Sequence, residues 1–123
     1  MPGKDVEKQK QRLARLSKRN RLWLESFESH IVSNLSNKDL SVKMLATLLS
    51  MSESTLLRTV KRLTGLTPQA YIIEYRLSEA RRLLESGELQ WVSEVAATVG
   101  YCDARSFSRT FKKRFGWVPS ATK

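Results

Sequence analysis

The sequence predicts an all-α protein, two helix-turn-helix units joined by a long linker helix, and three observations predict it. Only five glycines and three prolines interrupt the 123 residues, and long stretches are built from Leu, Ala, Glu, Lys and Arg, all good helix formers. One stretch, PQAYIIEYRLSEARRLLESG from Pro68 to Gly87, reads as a single helix with both ends marked: proline at the first position and glycine just past the last. The text on either side of it is similar. Val42 and Ala46 answer to Val92 and Ala96. Then, one residue further out of step, Arg58-Thr59, Lys61, Gly65 and Pro68 answer to Arg109-Thr110, Lys112, Gly116 and Pro119. Two copies are too few for a solenoid, so one helix separates two equivalent units.

Composition bounds the function. A hydrophobic fraction of 41% suffices for a modest core, and a net charge of +10 calls for an acidic partner, nucleic acid before an anionic membrane. Residues 1–21 carry eight Lys/Arg against two acids, residues 22–89 eight against eight, and residues 90–123 six against two. The excess therefore belongs to the start of the chain and to the second repeat. One cysteine, Cys102, allows no internal disulfide framework and suits a reducing cytoplasm. No apolar run approaches the ~20 residues that cross a bilayer, and the polar start has no signal-peptide pattern.

Residues 1–21 are polar and basic. They read either as a linker or as a basic arm that touches phosphates through Arg12, Arg15, Lys18, Arg19 and Arg21. A domain is expected over 22–119, followed by a tail at 120–123. It opens with a helix from Leu22 in which Trp23, Phe27, Ile31 and Leu35 recur at intervals of four and bury one face. Glu25 and Glu28 lie three apart, but no histidine, lysine or metal-ligand cluster joins them, so they read as surface acids. His30 reads as structural. The text from Asn34 to Asp39 is turn-forming.

The first helix-turn-helix is expected over about 41–64. Ser41 caps a helix whose buried stripe is Val42, Leu45, Ala46 and Leu49; Ser50-Met51-Ser52 is the turn. The second helix turns Leu56, Val60 and Leu63 inward and Ser54, Leu57, Arg58 and Lys61 outward. Small Ala46 suits a close helix crossing. The linker helix follows over about 68–86, with an apolar stripe of Ala70, Ile73, Leu77, Ala80 and Leu84 and charge on its other faces. The second unit, over about 91–115, repeats the design: Val92, Val95, Ala96 and Val99 are buried, and Gly100-Tyr101-Cys102 turns. Phe107, Phe111 and Phe115 face inward, whereas Arg105, Ser108, Arg109 and Lys112 face outward beside Lys113. The phenylalanines share a stripe opposite the charges, so they are core and not a base-stacking platform. Basic side chains on one stripe of each second helix point to DNA.

The run from Ala96 through Gly100-Tyr101, Asp103, Ser106-Phe107-Ser108-Arg109, Phe111-Lys112-Lys113 and Phe115-Gly116 to Pro119 resembles the DNA-binding domain of the AraC/XylS family of transcription regulators. The resemblance spans roughly Leu40 to Pro119. More narrowly, NLSNKDLSV and MSESTLLRTVKRLTGLTPQAYI resemble the C-terminal output domains of hybrid two-component sensors. That narrower likeness implies a larger, membrane-anchored signalling parent whose DNA-binding part lies in the cytoplasm.

The resemblance implies a sequence-specific regulator of transcription, expected to be an activator, that inserts two recognition helices into successive major grooves of promoter DNA. Ser54, Leu57 and Arg58 take the base-reading positions of the first unit, and Ala104, Arg105, Ser108 and Arg109 those of the second. Lys61, Arg62, Lys112 and Lys113, with Arg12 to Arg21, are expected on phosphates. RNA polymerase and self-association through an upstream domain outside this chain are the further partners implied. No cofactor, metal or catalytic residue is expected. The alternative is a non-specific architectural DNA binder, and an enzyme or a protein-interaction module is disfavoured.

Four positions depart from the family. Ser50 stands for the usual turn glycine, and Trp91 for a capping Ser or Thr. Leu57 places an alkyl group where a polar one is common, leaving open whether it touches a thymine methyl or reads nothing. The tail GWVPSATK lacks the aromatic residue and arginine that often follow the proline.

Overall fold

The structure, a computed structural model, describes residues 17–119. Among them are α1 (Lys18–Ser33), α2 (Val42–Leu48), α3 (Glu53–Thr64), α4 (Pro68–Ser86), α5 (Val92–Thr98) and α6 (Ala104–Phe115), and no strand. The chain forms two compact units. One contains the described part of Met1–Ser33 with Ser41–Tyr71, the other Asn34–Leu40 with the described part of Ile72–Lys123.

In the first unit α1, α2 and α3 pack on one another. Helix α1 begins at Lys18, earlier than the expected Leu22, because Ser17 caps it: its hydroxyl accepts from the Asn20 N–H at 3.2 Å. Lys18, Arg19 and Arg21 thus belong to a helix and not to an arm. The buried face of α1 is Leu24, Phe27 and Ile31. Trp23 is half-buried and stacks on Phe27, with ring centroids 5.7 Å apart, while Leu35 lies beyond the helix. Glu28 is no surface acid. It is half-buried and accepts a 2.7 Å hydrogen bond from the Tyr71 hydroxyl, whose ring meets Phe27 edge-on.

Ser41 caps α2, its hydroxyl accepting from the Met44 N–H at 3.1 Å, and Leu45 and Ala46 are buried while Val42 and Leu49 are half-buried. Ser52 caps α3 in the same way through the Thr55 N–H, and Leu56, Val60 and Leu63 fill the core as the spacing predicts.

Helix α4 has the expected bounds. Thr67 caps it by accepting from the Ala70 N–H, Pro68 opens it, and Gly87 follows it in the left-handed region. Its buried face differs from the expected stripe. Ala70 and Ile73 are only half-buried, whereas Tyr71, Ile72, Leu77, Ala80, Leu83 and Leu84 are buried, and Arg76 is buried among them. One helix that supplies Tyr71 to the first unit and Leu77 onward to the second cannot keep a single narrow stripe.

In the second unit α5 and α6 pack together. Leu77, Ala80, Leu83 and Leu84 form the core with Val95, Ala96, Val99, Phe107 and Phe111, and Phe115 and Trp117 pack against it half-buried. Trp117 closes on Phe111 edge-on at 4.8 Å, so the aromatic core is larger than the three phenylalanines alone.

Candidate nucleic-acid interface

The turns of the two helical hairpins repeat the same backbone hydrogen bonds. Leu49 N–H donates to Leu45 O and Met51 N–H to Ala46 O. Val99 N–H donates to Val95 O and Tyr101 N–H to Ala96 O. The register offset is fifty residues up to this point and fifty-one from the next helix cap, where Asp103 answers to Ser52. The extra residue lies in the turn of the second unit, where Cys102 is exposed and unpaired with any other cysteine. Asp103 accepts from the Ser106 N–H at 2.7 Å, and that bond, helped by the Ser106 hydroxyl and by Arg105, holds its carboxyl below the usual carboxylate range.

With their inner faces committed to the cores, α3 and α6 present their outer faces to solvent. On α3, Ser54, Leu57, Arg58, Lys61 and Arg62 are exposed; on α6, Arg105, Arg109, Lys112 and Lys113 are exposed, and Ala104 and Ser108 are half-buried. Each set of outward residues therefore lies on one helix of one unit. Arg12 and Arg15 lie outside the described residues, while Lys18, Arg19 and Arg21 are exposed on the first turn of α1. Two side chains have local engagements. Arg58 Nη2 donates to Thr55 Oγ1 at 3.4 Å, and Lys61 Nζ to the Gly65 carbonyl at 3.1 Å, where its charge also favours the negative end of the helix dipole.

Two other basic residues serve the fold. Arg114 pairs with Glu74 through two hydrogen bonds, Nη2 to Oε2 at 3.1 Å, and lies over the Phe115 ring at 4.9 Å. Arg76, with 9% of its surface exposed, donates from Nη2 to the Asn37 carbonyl at 2.8 Å, and its buried Nε has no partner among the described residues. Burial pulls its pKa down, and the neighbouring Tyr101 and Cys102 oppose that shift. Gly100 fits beneath this guanidinium. A Cβ there would stand 2.4 Å from the Leu35 carbonyl oxygen and 2.8 Å from Arg76 Nη2. Sequence reasoning missed Arg76, although a signal existed: it shares the α4 face of Ile72, Ala80 and Leu83, all apolar. Among the described residues no cluster of His, Cys, Asp and Glu could hold a metal, and no helix is long and apolar enough to cross a membrane.

The helix-turn-helix domain family matches residues 45–123, a span that starts within α2 and runs through α3, α4, α5 and α6. This chain belongs to the AraC/XylS-type helix-turn-helix family. That family is a class of DNA-binding domains of transcription regulators, not an enzyme class. The HTH-type transcriptional activator RhaS of Escherichia coli K12 is 43% identical over 70 residues, 57% of this chain and 25% of that protein. The chain thus spans about a quarter of the length of the curated relatives it matches. Among solved structures, the C-terminal domain of AraT, a response regulator from Geobacillus stearothermophilus, matches with a TM-score of 0.76 and 31% identity, over 88% of this chain and 85% of that one. The DNA-binding domain of the global transcriptional factor AdpA, crystallised with a target DNA, matches with a TM-score of 0.73 and 30% identity, over 80% and 86%.

Proposed function

We propose that this chain is the DNA-binding part of a sequence-specific transcription regulator, with α3 and α6 as its recognition helices. The observation that carries this reading is the duplicated exposed stripe. Ser54, Leu57, Arg58 and Lys61 occupy in α3 the positions that Arg105, Ser108, Arg109 and Lys112 occupy in α6, each opposite a buried apolar face. A helix of this kind lies in a major groove with its outward residues on base edges, and one chain with two of them reads two groove segments. Arg58, Arg105 and Arg109 each carry the planar fork that matches guanine O6 and N7. Ser54, Leu57, Ala104 and Ser108 line the same edges. Lys61, Arg62, Lys112 and Lys113, with Lys18, Arg19 and Arg21 on α1 and Arg12 and Arg15 before it, hold phosphates and set register.

The relatives support the wider setting. RhaS is a transcriptional activator and AraT a response regulator. The parent is accordingly an activator in a two-component system, working in the cytoplasm. RNA polymerase and self-association through an upstream domain are its protein partners.

Selection of binding sites from a random DNA pool, followed by base-by-base profiles of Arg58→Ala and Arg109→Ala, tests the reading. Each variant should relax preference at its own base pair by about 1–3 kcal/mol, at opposite ends of the site. The double change Lys112→Ala with Lys113→Ala should weaken binding to every sequence and leave the preferred site unchanged. Equal affinity of the wild type for selected and random DNA would instead return the chain to a non-specific architectural role.

A further inference from the structure

We infer that Leu57 reads a thymine methyl group, so that the first unit selects a thymine at the point where the second unit carries the hydroxyl of Ser108. This rests on the reading of α3 and α6 as recognition helices. The large apolar side chains left exposed among the described residues are Leu22, Val32, Leu48, Leu57, Trp91 and Val118. Of these, Leu57 alone lies on the outward face of α3 or α6. It is 46% exposed, while the inward work of α3 is done by Leu56, Val60 and Leu63, all buried. Its counterpart in α6 is Ser108. Arg58 is turned back along the helix to Thr55, which Ser52 in turn hydrogen-bonds at 2.9 Å. Leu57 is therefore left as the apolar point of an otherwise polar stripe.

The chemistry of the groove decides what such a point can recognise. Every base edge in the major groove offers donors or acceptors, and only thymine adds an apolar group, its 5-methyl. Leucine can neither donate nor accept. Against cytosine or a purine edge it strips water from polar atoms and returns nothing, whereas against thymine two apolar surfaces leave water together. A leucine here consequently favours thymine over cytosine at one base pair of the first unit's segment.

The test uses the whole chain and its selected site. Each thymine is replaced in turn by deoxyuridine, which removes only the 5-methyl. One position, in the segment whose profile Arg58→Ala alters, should weaken wild-type binding about fourfold, the factor one buried methyl is worth. Leu57→Ala should bind the two DNAs equally, with its helicity by circular dichroism unchanged because the site is exposed and alanine favours helix. Placing 5-methylcytosine for cytosine at that position should recover part of the wild-type binding. If no deoxyuridine weakens the wild type while Arg58→Ala still alters the profile, Leu57 reads nothing and the recognition helices stand. If the sensitivity persists in Leu57→Ala, another side chain makes the contact and the inference falls. A selection that yields no preferred site removes both readings together.

Discussion

The two helical hairpins share one backbone plan and differ in how they meet its demands. Each needs a residue in the left-handed region at the turn: Ser50 with φ 57° in the first unit, Gly100 with φ 87° in the second. Ser50 is exposed, so its side chain has room and the only cost is the backbone conformation itself. Gly100 is buried under the Leu35 carbonyl and Arg76, where no Cβ fits. The departure from the family's glycine is thus tolerated in one unit, whereas in the other packing adds to the torsional cost that both turns share. The caps differ in the opposite sense. Ser41 closes α2 with its hydroxyl, but Trp91, at the equivalent place before α5, makes no capping bond and is 66% exposed. The cores differ as well: Val60 answers to Phe111 and Leu56 to Phe107, aliphatic against aromatic.

Those differences can be broken one at a time. The largest effect is expected in the aromatic core, where Phe111→Ala should destabilise the second unit by about 3–5 kcal/mol against about 2 kcal/mol for Val60→Ala in the first. Denaturant melts of the two variants check the ranking, and an equal loss would remove the contrast between the cores. Next comes the turn. Gly100→Ala adds both the left-handed cost and an overlap with backbone, together about 2–5 kcal/mol, while Ser50→Gly should be neutral or stabilise by about 1 kcal/mol or less. A tolerated Gly100→Ala would mean that the segment around Leu35 yields easily.

Smaller still are the caps. Trp91→Ser should stabilise the second unit by about 0.5–2 kcal/mol, and Ser41→Ala should cost the first a similar amount. If both changes prove neutral in thermal melts, the short α2 and α5 are held by packing alone. The smallest contrast is with pH. The folded pKa of Asp103 lies below its unfolded value, so its carboxylate stabilises α6 fully above the ordinary carboxylate range, and that contribution fades as pH falls through the folded pKa. The Ser52 hydroxyl at the same place on α3 does not titrate. As pH falls through and below the ordinary carboxylate range, Asp103→Ser should therefore flatten the acid dependence of melting, and an unchanged slope would assign it to other carboxylates.

Much of this was legible in the chain. The bounds of α4, the inward faces of α3 and α6, the two turns and the paired outward stripes all followed from spacing, caps and the repeat, because helix periodicity and terminus signals are local. The missing cap at Trp91 was legible only against the family's pattern, in which a Ser or Thr stands there. The start of α1 is hidden in the sequence because its signal, Ser17, sits inside a run of charge that reads equally well as a linker. Charge runs were also where roles diverged: in Lys112-Lys113-Arg114, two residues are exposed and the third is bound to Glu74.

What the sequence determined by itself is what depends on neighbours three or four residues away: the order of the helices among the described residues, which face of each hairpin helix turns inward, and which basic residues stand together on one stripe. Only the tertiary structure decided which charged residues of α4 are buried, why Gly100 is irreplaceable where Ser50 is not, and that Glu28 and Arg114 belong to the cores' edges and not to solvent. The reason is distance along the chain. Arg76 meets Asn37, Glu28 meets Tyr71 and Glu74 meets Arg114 across about forty residues, and no periodicity within a helix records which remote backbone or side chain will close over it.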